Sequence, residues 1–272
     1  MLKLSHPDYF LPLVHAVEPG ELFDSGTTLP QLIVGICEQN QIKGDYVIKF
    51  IRSQRMSPNA SARELIAALI ARELDFNVPE PVIIHISDEF VKLMHGNDNF
   101  RVAQNSLGFN FGSEYQRGYL PVMKDQVITE RLEANLVDLY AFDLCISNVD
   151  RRVDKPNFLT NGDDILIFDH ELAFSYTLEL PFMRNQEPWL IRESDMQWVS
   201  QNFCFNRLKG KQFDFSRFQN KLSLIDNTFW NKIETIIPAE WLSNQVTDIK
   251  AYLNSLIANA DLFSNELNRI LL

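Results

Sequence analysis

Asn161-Gly162, set between the apolar runs Asn157-Phe-Leu-Thr160 and Ile165-Leu-Ile-Phe168, constrains this chain more than any other feature. Asn-Gly between apolar runs is a strong β-hairpin signal, because the tight turn needs residues that accept positive φ. The predicted turn runs Asn161-Gly162-Asp163-Asp164. Folding it brings Asn157 and Asp169 to one end of a two-stranded ribbon, and Asp150 lies in the loop that feeds it. An Asp, then an Asn, then an Asp after an apolar strand is the set that phosphoryl transfer needs. One carboxylate receives or orients the proton of the nucleophile, while an amide and a second carboxylate hold magnesium on the phosphates.

The surrounding pieces carry a resemblance. Asn148-Val-Asp-Arg151, Pro156-Asn157 and Phe168-Asp-His170 are joined upstream by Tyr46-Val-Ile-Lys49-Phe, Glu64 within Ala62-Arg-Glu-Leu65, Val78-Pro-Glu-Pro81 and Phe111-Gly-Ser113. In this order, from about residue 20 to 175, the chain resembles the HipA-like kinases, in particular a compact group with little more than the kinase domain. The order is more specific than any single piece, and the tail beyond Phe174 matches little. The step from Asp150 to Asn157 is longer than in ordinary eukaryotic protein kinases, a departure shared by the compact group.

The resemblance implies an α+β, two-lobed protein-kinase-like fold: a small β-rich N-lobe over residues 1–118 and a mainly helical C-lobe over 119–272. It implies ATP and Mg2+ as cofactors, a protein serine or threonine hydroxyl as acceptor, and a toxin–antitoxin or regulatory setting. The extra N-terminal subdomain of the full-length toxins is expected to be missing, so that an antitoxin or a separate protein resembling that subdomain is the implied partner.

Bulk properties narrow the classes. With 272 residues, 46% of them hydrophobic and 22% charged, the chain is long enough to bury a full core. A net charge of −11 argues against a nucleic-acid-binding surface, which would be basic. Cys37, Cys145 and Cys204 are widely spaced, so neither a zinc site nor a disulfide framework is indicated, and buried thiols in a reducing compartment are expected. No run reaches the length of a membrane span and the N-terminus has no secretory pattern, so a cytoplasmic protein without membrane contact is expected.

Along the chain, Gln31–Cys37 and Tyr46–Ile51 read as a hairpin across Asn40 to Gly44. Ser61–Leu74 reads as the one helix of the first part, with Ser61 and Glu64 in capping-box spacing. Pro81–Ile86 and Phe109–Ser113 read as strands, and Val127–Ile146 and Asp248–Asn259 as helices. Strands first and helices later indicate α+β segregation.

Each candidate residue has a plain structural alternative. Asp150, the proposed base, is also a type of residue that ends helices and fills turns. Arg151 and Arg152 either position phosphate, hold the loop or are solvated. Asn157 and Asp169 are the implied magnesium ligands; His170 is a further ligand or a hydrogen-bonded support beneath them. Lys49, alone in an apolar strand, needs an anionic partner if buried, which ATP phosphates and Glu64 would supply; otherwise it is an edge-strand lysine. Glu64 either caps its helix or pairs with Lys49. By resemblance, Gly26, Thr27 and Thr28 belong to the loop over the phosphates, and Ser25, Thr27 and Thr28 are autophosphorylation candidates. The competing functions are a small-molecule kinase, a catalytically silent binding module and a metal-dependent phosphoesterase, although Lys49 has no clear task in the last.

Overall fold

Five strands of the N-terminal part close on themselves. In this computed structural model, which describes residues 2–23, 28–123 and 126–272, β1 (Leu13–Leu22), β2 (Gln31–Cys37), β3 (Lys43–Lys49), β4 (Pro81–Ile86) and β5 (Gly108–Glu114) form a closed barrel in the order β1-β2-β3-β5-β4. Its closing seam pairs Leu13–His15 in parallel with Ile83–His85; the other seams are antiparallel. Val14, Ile33, Ile48, Val82, Ile84 and Ile86 fill the interior. Gly112 leaves room for one of them, since a Cβ there would lie 2.1 Å from Ile84 Cδ1. Gly26 and Thr27 lie outside the described residues, as does Ser25; Thr28 is buried just before β2.

Between β3 and β4 runs α1 (Pro58–Glu73), buried on every face from Ala60 onward. Although it carries Arg63, Glu64, Arg72 and Glu73, α1 is buried all round like a core helix, and it packs against β4, β5 and the C-terminal helices. It begins three residues before the expected start. Ser57 is the N-cap, its hydroxyl accepting from Ala60 N at 3.2 Å, and Pro58 fills the first turn, where a missing N–H costs nothing. Ser61 and Glu64 therefore form no capping box, and the Glu64 carboxylate is free for another partner. The first part also holds two short helices that were not expected, α2 (Asp88–Leu93) and α3 (Phe100–Gln104).

The C-terminal part is helical. Thr129 caps α4 (Glu130–Cys145), its side chain accepting from Leu132 N. A small sheet follows: β6 (Leu120–Pro121) pairs with β7 (Phe158–Asn161), which forms the expected hairpin with β8 (Asp164–Ile167) across Gly162, at φ 64°. Then come α5 (Met196–Val199), α6 (Phe203–Leu208), α7 (Ser216–Leu222), α8 (Asn227–Ile236), α9 (Asn244–Ala258) and α10 (Ala260–Leu271). One apolar core joins α1, α4 and these helices, and the barrel interior forms a second. All three cysteines are buried and free. Among the described residues no helix is long and apolar enough to cross a membrane.

Candidate active site

The open end of the β7–β8 hairpin organises the site. Phe158 pairs with Ile167, and Phe168 N donates to Asn157 O at 3.2 Å, so Asn157 and Asp169 leave the ribbon side by side. Both are left-handed, at φ 49° and 65°; Ser147 and Phe174 nearby are too, at 47° and 55°. Non-glycine residues in this region are uncommon and store strain, which Asn and Asp tolerate best, and such strain clusters at functional sites.

β3 delivers Lys49 to the same place. Its ammonium donates to Asp169 Oδ1 at 2.6 Å, to Glu64 Oε2 at 2.9 Å and to Glu171 Oε2 at 2.9 Å. Glu64 comes from the middle of α1, and its Oε2 also accepts His170 N at 2.8 Å. Burial alone would lower the Lys49 ammonium, but Asp169, Glu64 and Glu171 hold it well above its ordinary range. Burial works against the Asp169 carboxylate too, yet Lys49, a hydrogen bond with Glu171 and Lys155 hold it well below the ordinary carboxylate range. Burial pushes Glu171 up to about 8, only partly offset by Lys49.

Asp150 lies across a second lysine. Lys155 Nζ is 2.7 Å from Asp150 Oδ2 and 2.7 Å from Asp169 Oδ2. Asn157 Nδ2 donates to the main-chain O and to Oδ2 of Asp150, both at 3.1 Å. The structure thus brings Lys49, Glu64, Asp150, Asn157 and Asp169 into one cluster. Thr28 makes no hydrogen bond to that cluster among the described residues.

A buried scaffold lies underneath. Arg151, wholly buried, shares its Nε–H between both oxygens of Asp143 (2.9 and 2.8 Å), and Asn148 and Asn202 also donate to Asp143. The other arm of Arg151 donates to Pro156 O at 3.2 Å and Asn157 O at 2.5 Å, and Nη2 meets His170 Nε2 at 3.3 Å. A guanidinium only donates, so Nε2 is the acceptor and the ring proton is on Nδ1. Burial, then the positive charges of Arg151 and Lys49, hold His170 well below the ordinary imidazole range and therefore neutral. His170 is a support beneath the site, and Arg151 holds the loop. Arg152, at the edge of the site, pairs with exposed Asp154 at 3.1 Å and with Asp150 Oδ1 at 3.5 Å.

Glu171, Lys155 and Asp143 do not stand out in the sequence as site residues. Glu171 follows Asp169-His170 directly; Lys155 precedes Pro156 and reads as an ordinary surface lysine; Asp143 reads as one more charge on an amphipathic helix.

The donors suit a hard divalent cation. Glu64, Asp169 and Glu171 each place a carboxylate oxygen within 4.8 Å of the others, but Lys49 already fills the space between them. Of the three it is therefore Asp169, with its second oxygen toward Asp150 and Asn157, that could hold an oxygen-preferring cation such as magnesium. Four carboxylates, counting Asp150, meet two ammonium groups, with the Arg63 guanidinium behind Glu171 donating to its main-chain O. Fully ionised, the cluster holds excess negative charge.

A family model described as HipA-like kinase matches residues 25–269. The chain belongs to the HipA-like kinase family. Membership supports a kinase-type phosphotransferase in general terms, and the family implies ATP as its cofactor. No curated protein matches this HipA-like kinase in sequence. Among solved structures it is similar to the PAN3 pseudokinase of Neurospora crassa, at 14% identity over 98% of this chain and 71% of that one, with a TM-score of 0.34. It is also similar to the MAP kinase LmaMPK10 of Leishmania major, at 14% identity over 93% and 83%, with a TM-score of 0.32. The functional reading of this HipA-like kinase rests on the family and on its own site.

Proposed function

We propose that this chain transfers the γ-phosphoryl group of ATP to a serine or threonine hydroxyl of a protein. The observation that carries the reading is the joint placement of Lys49, paired with Glu64, beside Asp169, with Asp150 one lysine away. The acceptor oxygen bonds to the γ-phosphorus as the bond to the bridging oxygen breaks; that electron pair leaves with ADP, and the acceptor proton passes to the Asp150 carboxylate. Lys49 holds the phosphates from the β3 side. Asp169 and Asn157 would hold Mg2+, which when bound would neutralise phosphate charge. The nucleotide lies where an N-lobe, residues 1–118, meets a C-lobe, residues 119–272, and Gly26, Thr27 and Thr28 are assigned to its phosphates by the family resemblance alone.

A protein acceptor is favoured by the segment after Asp169. Leu178, Leu180, Phe182 and Met183 are exposed there, and an open apolar surface suits a polypeptide better than a small cation, which calls for a closed acidic pocket. Resemblance to the family adds a toxin–antitoxin or regulatory setting, with an antitoxin or a protein resembling the N-terminal subdomain of the full-length toxins as partner. A net charge of −11 fits the absence of direct nucleic-acid contact in this reading.

The test is incubation of the purified chain with γ-labelled ATP, Mg2+ and a cell lysate. The expected result is label on serine or threonine of a protein, absent with Asp150→Ala. Transfer to small molecules alone, or no transfer by folded protein, contradicts the proposal.

A further inference from the structure

Two neighbours on α1 grip two neighbours beyond Asp169. Glu64 Oε2 accepts the His170 N–H at 2.8 Å, and Arg63 Nε donates to the Glu171 main-chain O at 2.9 Å. Arg63 then reaches past the cluster, where its Nη1 donates to Gln245 Oε1 at 2.9 Å. Gln245 stands in the first turn of α9, a helix capped by the Ser243 side chain and anchored by a buried apolar face. Both ends of its amide are used: while the oxygen accepts Arg63, Nε2 donates to Asn59 O at 2.9 Å. Ser243 Oγ adds a bond to Asn59 Oδ1, also at 2.9 Å. Asn59 and Arg63 are four residues apart, so one face of α1 meets the start of α9 while Glu64, one step round the helix, turns to the cluster.

Arg63 and Gln245 are buried, at 5% and 9% exposure. Burying a guanidinium against an uncharged amide is costly where packed apolar residues would stabilise as well. What the polar contact adds is direction: hydrogen bonds fix the rotation and height of a helix, which apolar contact leaves loose. Gln245 bonds to none of the cluster's carboxylates among the described residues, so this hold stands apart from whatever ligand the cluster takes. In protein kinases the pair between the strand lysine and the helix glutamate must be in place for transfer, and the position of the helix controls it. We propose that Arg63 and Gln245 are positioning residues, a tether from α1 to α9 that keeps Glu64 on Lys49 and on the His170 N–H. The C-terminal helices thereby set the Lys49–Glu64 pair. The use of the tether in phosphoryl transfer rests on the kinase reading above; the tether itself does not.

Two measurements test it on wild type, Gln245→Met, Gln245→Glu and Arg63→Lys. Amide exchange is followed residue by residue by NMR, with the His170 amide compared with the amides of α4. Label transfer from γ-labelled ATP to lysate protein is measured at saturating Mg2+–ATP. Gln245→Met matches Gln in size but cannot accept from Arg63. Its His170 amide should exchange roughly tenfold faster relative to α4, and its label transfer should slow about tenfold. Gln245→Glu keeps an acceptor oxygen and should stay close to wild type in both. Arg63→Lys keeps the buried charge without the fork, so it should move the exchange ratio as Gln245→Met does, and it carries the test if Gln245→Met does not fold. A merely structural contact would speed His170 and α4 exchange alike; an unchanged ratio therefore overturns the tether. Gln245→Glu as perturbed as Gln245→Met overturns the pairing with Arg63. A raised ratio with wild-type label transfer overturns the role in transfer. Wild-type protein that transfers no label is a failure of the kinase reading instead, and the exchange ratio still decides the tether.

Discussion

The backbone N–H of His170 donates to Glu64 Oε2 at 2.8 Å, through the same oxygen that accepts Lys49 at 2.9 Å. One carboxylate on α1 therefore sets both Lys49 and the residue that follows Asp169. A shift of α1 would loosen both contacts together, which makes this helix the structural link between the barrel and the Asp169 side of the cluster.

Glu64→Gln keeps the shape and an acceptor oxygen but removes the charge that holds Lys49. Turnover is expected to fall roughly 10²-fold, while the unfolding free energy from urea titration changes by less than about 1 kcal/mol, because Lys49 keeps Asp169 and Glu171 as partners. Steady-state kinetics beside equilibrium unfolding checks this. A variant with wild-type turnover would mean that the ion pair is dispensable.

The Asp143–Arg151 pair is predicted to be the main stabiliser of the catalytic loop. Removing either partner alone leaves the other charge buried, at a cost of about 3–5 kcal/mol. Arg151→Met combined with Asp143→Leu should cost less than the sum of the two single changes. A double-mutant cycle in urea measures that coupling, and strict additivity would contradict it.

Much of the site is legible in the sequence because its signals are local. The hairpin follows from Asn161-Gly162 and its apolar flanks, and it places Asn157 and Asp169 side by side. Lys49 within an apolar strand points to a buried anionic partner. The start of α1 is also local, but Ser57-Pro58 outranks the Ser61–Glu64 spacing, and weighing them wrongly gives Glu64 a capping task that it does not have. Other features are not local. Barrel closure depends on Leu13–His15 meeting Ile83–His85, and Asp143 is known to be buried only once Arg151 and Asn202 have folded around it. Glu171 becomes a partner of Lys49 only through the turn that follows the left-handed Asp169.

A pH effect is expected away from the site. Asp75 follows α1 and meets Lys3 at 2.7 Å and Lys221 at 3.2 Å. Partial burial opposes ionisation, but the two lysines outweigh it and lower the Asp75 carboxyl from its ordinary value. A depressed carboxyl contributes stability above its unfolded pKa, and that contribution is lost as pH falls through the folded value. Asp75→Asn should therefore be less stable than wild type at pH 6, and the gap should close below about pH 4. The group is half exposed, so the difference should also shrink in high salt. Urea midpoints of both proteins across this range test the sign; a gap that widens in acid contradicts it.

The division of labour between Asp169 and Asp150 is the centre of the account, and calorimetric titration of ATP with and without Mg2+ tests it most directly. Wild type and Asp150→Ala should both bind ATP more tightly with Mg2+ than without, since Asp150 acts on the acceptor. Asp169→Ala should lose that magnesium-dependent gain while remaining folded. Undiminished magnesium dependence in Asp169→Ala, or its loss in Asp150→Ala, would contradict the roles assigned to these two carboxylates.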